Sequence, residues 1–212
     1  MPIPRSLLGR ITALAGGALV LLLVLAQIFV PGLGEDAIED RLTENGGVAD
    51  VSLKATPAVR LLWGSGDAVE VSGSGLDLDL DLEEDPRAFE DLDRFDDAQI
   101  VITDSDAGPV QIDNFTLTQD GDDPYLLAMR GATSLSAIAE FAAGNAEVPG
   151  SGIIGTVLDF TGVGGADLDI DMDMKLVSDD GRVRVIEGGG EIAGVPTGPL
   201  AEVITAAIVL RL

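Results

Sequence analysis

The stretch DAVEVSGSGLDLDLDL, residues 67 to 82, decides the fold because apolar and polar side chains alternate along most of its length. A period of two is typical of a β-strand that buries one face and leaves the other in water. Gly73 and Gly75 interrupt the alternation and are predicted to be bulge or bend points. The apolar positions, which predict the inward face of the strand, are Val69, Val71, Leu76, Leu78, Leu80 and Leu82.

The aspartates of the same stretch do not have the spacing of a metal site. Asp77, Asp79 and Asp81 would lie about 6.6 Å apart along one face of an extended strand. A calcium loop needs tight curvature, with glycine at its sixth position, and Leu82 occupies that position here. A second series in ADLDIDMDMKLV, residues 166–177, has the same spacing. We therefore expect two solvated sheet faces and no metal site, with weak cation binding by these aspartates as the alternative.

Further segments with period-two alternation follow along the chain, and turn sequences and short helical patterns separate them. The further predicted strands are 48–55, 98–104, 110–119, 125–133, 166–177 and 182–189, with turns at DSDAGP, QDGDDP and SDDG. The predicted helices are 34–44, 85–95, 134–144, 151–160 and 197–212. This order predicts an α+β fold in which a few helices pack on an antiparallel, curved sheet.

Residues 11–30 form an uncharged, apolar run that is long enough to cross a bilayer as a helix. Arg5 and Arg10 precede it and acidic residues follow, so the positive-inside tendency leaves residues 1–10 in the cytoplasm. Pro31 and Gly32 are predicted to end the membrane helix. We expect a transmembrane anchor at 11–30 and an extracytoplasmic domain at 31–212. A signal peptide cleaved near Ala26 is the alternative, and it also exports the domain.

Composition excludes several function classes. The chain contains no cysteine and no histidine, which removes disulfides, thiol catalysis and the commonest general base and zinc ligand. Its net charge of −25 disfavours binding to nucleic acid and attraction to anionic lipid. No catalytic motif is present, so we predict that the protein is not an enzyme and has no cofactor. A hydrolase that uses a pair of carboxylates is the remaining catalytic alternative.

The stretch PAVRLLWG, residues 57–64, contains the single tryptophan of the chain, Trp63. One interpretation is a turn of the core that is anchored by this large side chain. The other is an apolar lip of Leu61, Leu62 and Trp63 that touches lipid, because tryptophan favours membrane interfaces.

The layout resembles the LmeA-like phospholipid-binding family of actinobacteria, long catalogued as a domain of unknown function. The shared features are the anchor ending in Pro-Gly, AIEDRL, VSLKATP, the LLWG turn and the strand DAVEVSGSGL, and they cover roughly residues 20 to 82. The resemblance implies an exported, membrane-tethered domain in the style of tubular lipid-binding folds. It also implies phospholipid binding without chemistry. The strongly acidic composition favours recognition of acyl chains over anionic headgroups.

Our leading hypothesis is a non-enzymatic lipid-binding protein on the outer face of the cytoplasmic membrane, with an acyl chain between the sheet and its helices. The alternative is a structural or interaction module of the cell envelope that has a solid core and no ligand. The residues predicted to line the lipid site are Leu61, Leu62, Trp63, Phe141, Ile153, Ile154, Leu158 and Phe160.

Overall fold

A computed structural model describes residue 27 and residues 30–78, 89–134, 137, 167–192 and 195–196. They form a mostly β, α+β fold with a curved open sheet of nine strands and few helices. The strands are β1 (Val48–Lys54), β2 (Gly66–Ser74), β3 (Asp77–Leu78), β4 (Phe95–Ala107), β5 (Val110–Asp120), β6 (Tyr125–Ser134), β7 (Asp167–Asp179), β8 (Arg182–Ile192) and β9 (Val195–Pro196). The strand order is β1-β2-β4-β5-β6-β7-β8-β9, and β3 pairs with β4.

Each predicted strand corresponds to an observed one, but the sheet is mixed and not purely antiparallel. β2 and β3 run parallel to β4, whereas the other pairings are antiparallel. The cause is topological, because β4 begins at the same end of the sheet as β2. Gly66 and Phe95 therefore lie side by side at the same end of the sheet.

Residues 66–78 form one line along β4 with a local break at Gly75. Gly75 has a φ of 65°, a conformation that glycine adopts without strain, and β3 resumes beside β4 in the register that β2 began. Leu76 and Leu78 are buried and Asp77 is exposed, as the alternation predicts. Gly73 is not a bulge: it lies within β2, and a Cβ there would strike the Leu76 side chain.

The two aspartate series do not pair with each other. β7 lies between β6 and β8, and Asp171 is opposite Arg130. The Arg130 guanidinium and the Asp171 carboxylate are 3.6 Å apart on the exposed face. The solvated-face prediction is therefore confirmed for the described part of both series; residues 79–82 lie outside the described chain.

One face of the sheet is apolar and buried from β1 to β7. Its side chains include Val51, Leu53, Val69, Val71, Ile100, Ile102, Ile112, Phe115, Leu117, Leu127, Met129, Ile170, Met172, Met174 and Leu176. We call this surface the inner face. Val183 and Val185 of β8 pack against the same core and are partly buried.

A paired irregularity in β4 and β5 keeps alternate side chains buried on the inner face both before and after it. Buried positions in β4 shift from even to odd numbers between Ile102 and Ser105, where Asp104 adopts a φ of 47°. β5 shifts between Ile112 and Phe115, and its register with β6 slips at the same point. Such bulges re-aim side chains and bend a strand, which is consistent with the curvature of this sheet.

The helix before β1, which we call α1, comprises residues 30–42, and residue 27 is also helical. Pro31 and Gly32 thus lie in the first turn of α1, which begins earlier than the predicted helix 34–44. That they end a membrane helix stays a prediction. Proline is tolerated in a first helical turn, and α1 gains tertiary contacts that composition does not reveal. Within the described residues, no helix combines the length and apolar content needed to cross a bilayer. The predicted anchor falls largely outside them.

The other predicted helices are described only in part. In 85–95, a turn at Phe89 leads to a short 3-10 helix, η2 (Leu92–Arg94), and β4 begins at Phe95, so the described part is not the predicted helix. Phe89 and Leu92 are buried. Ser134 accepts a hydrogen bond from the Ala137 N–H at 3.1 Å, which is the contact that an N-cap serine makes. The predicted helices at 151–160 and 197–212 lie outside the described residues.

Candidate functional site

The centre of the inner face on β6 and β7 is rich in methionine. Met129 and Met172 are direct cross-strand partners, and Met174 is opposite Leu127. These are three of the four methionines in the chain, and each is at most 3% exposed. Methionine has a flexible, unbranched side chain that adapts to irregular shapes. This methionine section is therefore the part of the described inner face best suited to repacking around an apolar partner.

The middle of the inner face is closed. Ile100, Ile102, Phe115 and Leu117 on β4 and β5 have no exposed surface, and neither does Leu176 on β7. A void large enough for water would give its lining side chains accessible area. An acyl chain against this part of the sheet would therefore have to displace whatever covers it.

The 3-10 helix η1 (Ala58–Trp63) connects β1 to β2 and presents two large apolar side chains to solvent. Residues three apart share a side in a 3-10 helix. Ala58 is buried and Leu61 packs against the core, so this pair occupies the inward side. Leu62 is 62% exposed and Trp63 is 68% exposed. The interpretation of Trp63 as a core anchor is wrong, because Ala58 and Leu61 fill that place.

The end of η1 is fixed by backbone and side-chain contacts. Gly64 adopts a left-handed conformation, and its N–H donates to the Leu61 carbonyl at 3.0 Å. The Arg60 guanidinium pairs with the Asp67 carboxylate and also donates to the Gly66 carbonyl. The exposure of Leu62 and Trp63 is thus held by an ordered turn.

Gln27 ties the end of the apolar N-terminal run to the start of η1. Its Nε2 donates to the Ala55 carbonyl at 3.0 Å, and its Oε1 accepts from the Ala58 N–H at 2.9 Å. Gln27 is one of only two clearly polar side chains in residues 11–30. The end of the predicted anchor and the exposed pair Leu62–Trp63 therefore lie at the same end of the domain.

An open cleft of about 460 Å³ lies at the same end of the sheet, between η2, the β5–β6 turn and the end of β7. It is acidic, with Asp93, Asp96, Asp122 and Asp123 among the lining residues. The Tyr125 hydroxyl donates to Asp93 Oδ1 at 3.0 Å, and the Ser178 hydroxyl donates to Oδ2. Both carboxylate oxygens of Asp93 are thus engaged in holding η2 to β6 and β7.

The acidic residues of the described chain do not assemble a metal site. No group of three or more aspartates and glutamates is placed there to hold a metal ion. The aspartates of β7 alternate along an extended strand. Asp171 contacts Arg130 of β6, and Asp179 contacts Arg184 of β8.

The structure brings together three of the eight residues predicted to line a lipid site, and does not enclose them. Leu61 packs on the core, whereas Leu62 and Trp63 face solvent. The other five lie outside the described residues, and their assignment stays a prediction: Phe141, Ile153, Ile154, Leu158 and Phe160.

Sequence reasoning missed the residues that join α1 to the sheet. The Glu35 carboxylate accepts from the Leu53 N–H at 2.7 Å, and the Glu39 carboxylate accepts from the Val51 N–H at 2.9 Å. The signal present in the sequence was the spacing of four residues between Glu35 and Glu39 on a predicted helix that precedes a predicted strand. The grouping of methionines on one strand face was also visible, in MRG of β6 and DMDM of β7.

Comparisons with known proteins found no matching family model, no matching curated protein and no matching solved structure. The resemblance to the LmeA-like family therefore stays a prediction from sequence pattern.

Proposed function

We propose that this protein is a non-enzymatic, membrane-anchored lipid-binding protein of the cell envelope. Its exported domain takes up the acyl chain of a phospholipid, in the style of tubular lipid-binding folds. The observation that carries the proposal is the inner face: one apolar surface spans the sheet from β1 to β7 and has its methionines grouped at β6 and β7.

Shape and chemistry support acyl chains as the ligand class. The apolar residues of the inner face are buried, and the acidic side chains of β7 point to the other face. An acyl chain needs apolar contact and no charged partner, whereas an anionic headgroup needs cations. The chain has only 12 Lys and Arg residues against 37 acids. The apolar part of a lipid thus fits this domain better than its headgroup.

The closed state of the inner face determines how uptake would proceed. Because Ile100 and Phe115 are fully buried, a ligand enters only by displacing the covering segments or by repacking side chains. The methionine section is where repacking costs least, since methionine side chains rearrange without leaving an apolar environment.

A structural or interaction module of the envelope is the second candidate. The full burial of the central inner face is what a solid core without ligand requires. In that case the methionines only fill the core, and phospholipid never reaches β6 or β7.

Photocrosslinking separates these functions. The full chain is placed in vesicles containing phospholipid with a photoactivatable group at the acyl end, and adducts are mapped by mass spectrometry. Uptake predicts adducts on peptides covering β6 and β7. Adducts confined to residues before 34 would support the interaction module instead.

Methionine variants sharpen the test. The double variant Met172→Ile and Met174→Ile keeps an apolar strand face but removes the flexible side chains, and we expect a several-fold loss of adducts on β7. Val177→Ile, outside the inner face of the same strand, is the matched control and should label like the parent. Unchanged labelling in the double variant would remove the methionine section from the proposal.

A further inference from the structure

Leu62 and Trp63 are exposed apolar side chains, and their position in the fold indicates which surface they contact. Two large apolar side chains on an ordered turn, 62% and 68% exposed, are not explained by the core, which Leu61 and Ala58 already complete. We propose that Leu62 and Trp63 form a lip that inserts into the boundary between headgroups and acyl chains of the membrane holding residues 11–30. This inference rests on the membrane anchor of the proposed function and not on acyl-chain uptake by the inner face.

The position of Gln27 carries the argument. Because Gln27 is hydrogen-bonded to Ala55 and Ala58, this residue of the apolar run is fixed beside the first residue of η1. Trp63 follows Ala58 by five residues, which in a 3-10 helix is about 10 Å. If residues 11–30 span the hydrocarbon core, the lip lies within about that distance of the bilayer boundary. Tryptophan and leucine are stable at this depth, since the indole keeps a polar N–H beside a large apolar ring.

The charges around η1 permit this contact. Arg60 pairs with Asp67, and Arg94, whose guanidinium lies beside Gly64, pairs with Glu90 and Asp91. The charged groups named beside the lip are therefore two arginines and three carboxylates, which nearly balance, although the whole chain has a net charge of −25.

The strongly acidic β5–β6 turn is at the same end of the sheet but two strands away from β2, about 10 Å. Its carboxylates, those of Asp120, Asp122 and Asp123, oppose close approach to an anionic surface. A zwitterionic phosphatidylcholine bilayer is therefore the partner that the lip fits best, and the contact is apolar.

Trp63 is the only tryptophan, so its fluorescence reports the lip directly. The full chain is reconstituted in phosphatidylcholine vesicles with lipid in large excess, with and without phosphatidylcholine brominated near the carbonyl end of its acyl chains. We expect blue-shifted emission, protection from acrylamide and loss of most of the emission in brominated vesicles.

A variant that moves the tryptophan provides the matched control. Val48 is as exposed as Trp63, at 68%, and lies at the opposite end of β1. In Trp63→Phe with Val48→Trp, the indole stands about 20 Å from the lip along the strand. We expect red-shifted emission that acrylamide quenches and brominated lipid does not.

Three results would overturn the lip. The first is that brominated lipid quenches the tryptophan emission of both proteins equally, or quenches neither. The second is a Trp63 shielded from acrylamide but unaffected by brominated lipid, which indicates cover by the protein's own apolar run. The third is shielding lost when protein is diluted at constant lipid, which indicates a second copy. Trp63→Ser should leave acyl crosslinking at β6 and β7 unchanged, so failure of the lip and failure of acyl uptake are distinguishable.

Discussion

Tyr125 joins three elements through a single hydroxyl and a ring. The hydroxyl donates to Asp93 of η2, and Asp93 also accepts from Ser178 of β7. The ring meets Phe89 edge-on with centroids 4.8 Å apart. Tyr125 is 2% exposed, so burial raises its pKa above the ordinary value of 10, and the negative charge of Asp93 and the hydrogen bond to it act in the same direction. Ionising this phenol therefore disfavours the folded state.

The pH dependence of stability follows from that raised pKa. The stabilisation is fully present below pH 10, where unfolded tyrosine keeps its proton. Above pH 10 the unfolded state ionises first, and the free energy of unfolding falls by about 1.4 kcal/mol per pH unit from this group. Tyr125 is the only tyrosine, so ultraviolet absorbance of phenolate follows it directly. We expect no phenolate near pH 10 until the protein unfolds.

Tyr125→Phe provides the reference for that titration. The variant keeps the ring contact with Phe89, loses the hydrogen bond to Asp93 and should cost about 1 kcal/mol at pH 7. Its stability should also lack the extra slope above pH 10. A folded parent whose phenol titrates near pH 10 would contradict the environment described for Tyr125.

At the scale of elements, α1 closes the free edge of the sheet. β1 is an edge strand, and its outward N–H groups would otherwise offer a template for another chain. Glu35 and Glu39 satisfy two of them, at Leu53 and Val51. Four residues of helix rise about 6.0 Å and two residues of strand about 6.6 Å, so the repeats match. Ile38 and Leu42 pack on the core and hold α1 in place.

Removing the two carboxylates should open that edge. Each of Glu35→Ala and Glu39→Ala leaves a backbone donor without its carboxylate, at a cost of about 1 to 3 kcal/mol. The double variant should also associate with increasing protein concentration, as measured by light scattering. Asp40→Ala is the matched control, since Asp40 is an exposed carboxylate of the same helix. If the control and the double variant lose equal stability, the edge contacts contribute nothing specific.

The strands were predictable from the sequence because alternation is a local signal. In and just before β3, for example, the alternation correctly indicates that Leu76 and Leu78 are buried and that Asp77 is exposed. The start of α1 was not predictable from Pro31, because the contacts that favour helix there involve β1, which is distant in sequence. The parallel pairing of β2 with β4 also depends on chain topology, which alternation does not encode. The exposure of Trp63 follows from the period of three in η1, whereas a large aromatic side chain alone suggests burial.

At the scale of the whole molecule, charge is mostly unbalanced. The chain has a net charge of −25. Both of its lysines form cross-strand ion pairs, Lys54 with Glu70 and Lys175 with Glu187. These pairs are exposed, and such pairs contribute about 0 to 1 kcal/mol each. Repulsion among the remaining carboxylates therefore outweighs the attraction from the few cations, and folding must overcome it.

Salt should consequently stabilise this protein. Raising NaCl from about 0.01 M to about 0.1 M shortens the screening length from about 30 Å to about 10 Å, which weakens the repulsion more than the short ion pairs. We expect a gain on the order of 1 kcal/mol, or about 2 to 4 °C in the unfolding midpoint for a chain of this length, measured by circular dichroism. KCl should act like NaCl, because screening depends on ionic strength. A comparable gain from millimolar Ca²⁺ alone would instead show a specific cation site and contradict the solvated role of the aspartate rows. A midpoint that falls with NaCl would show that ion pairs dominate over repulsion.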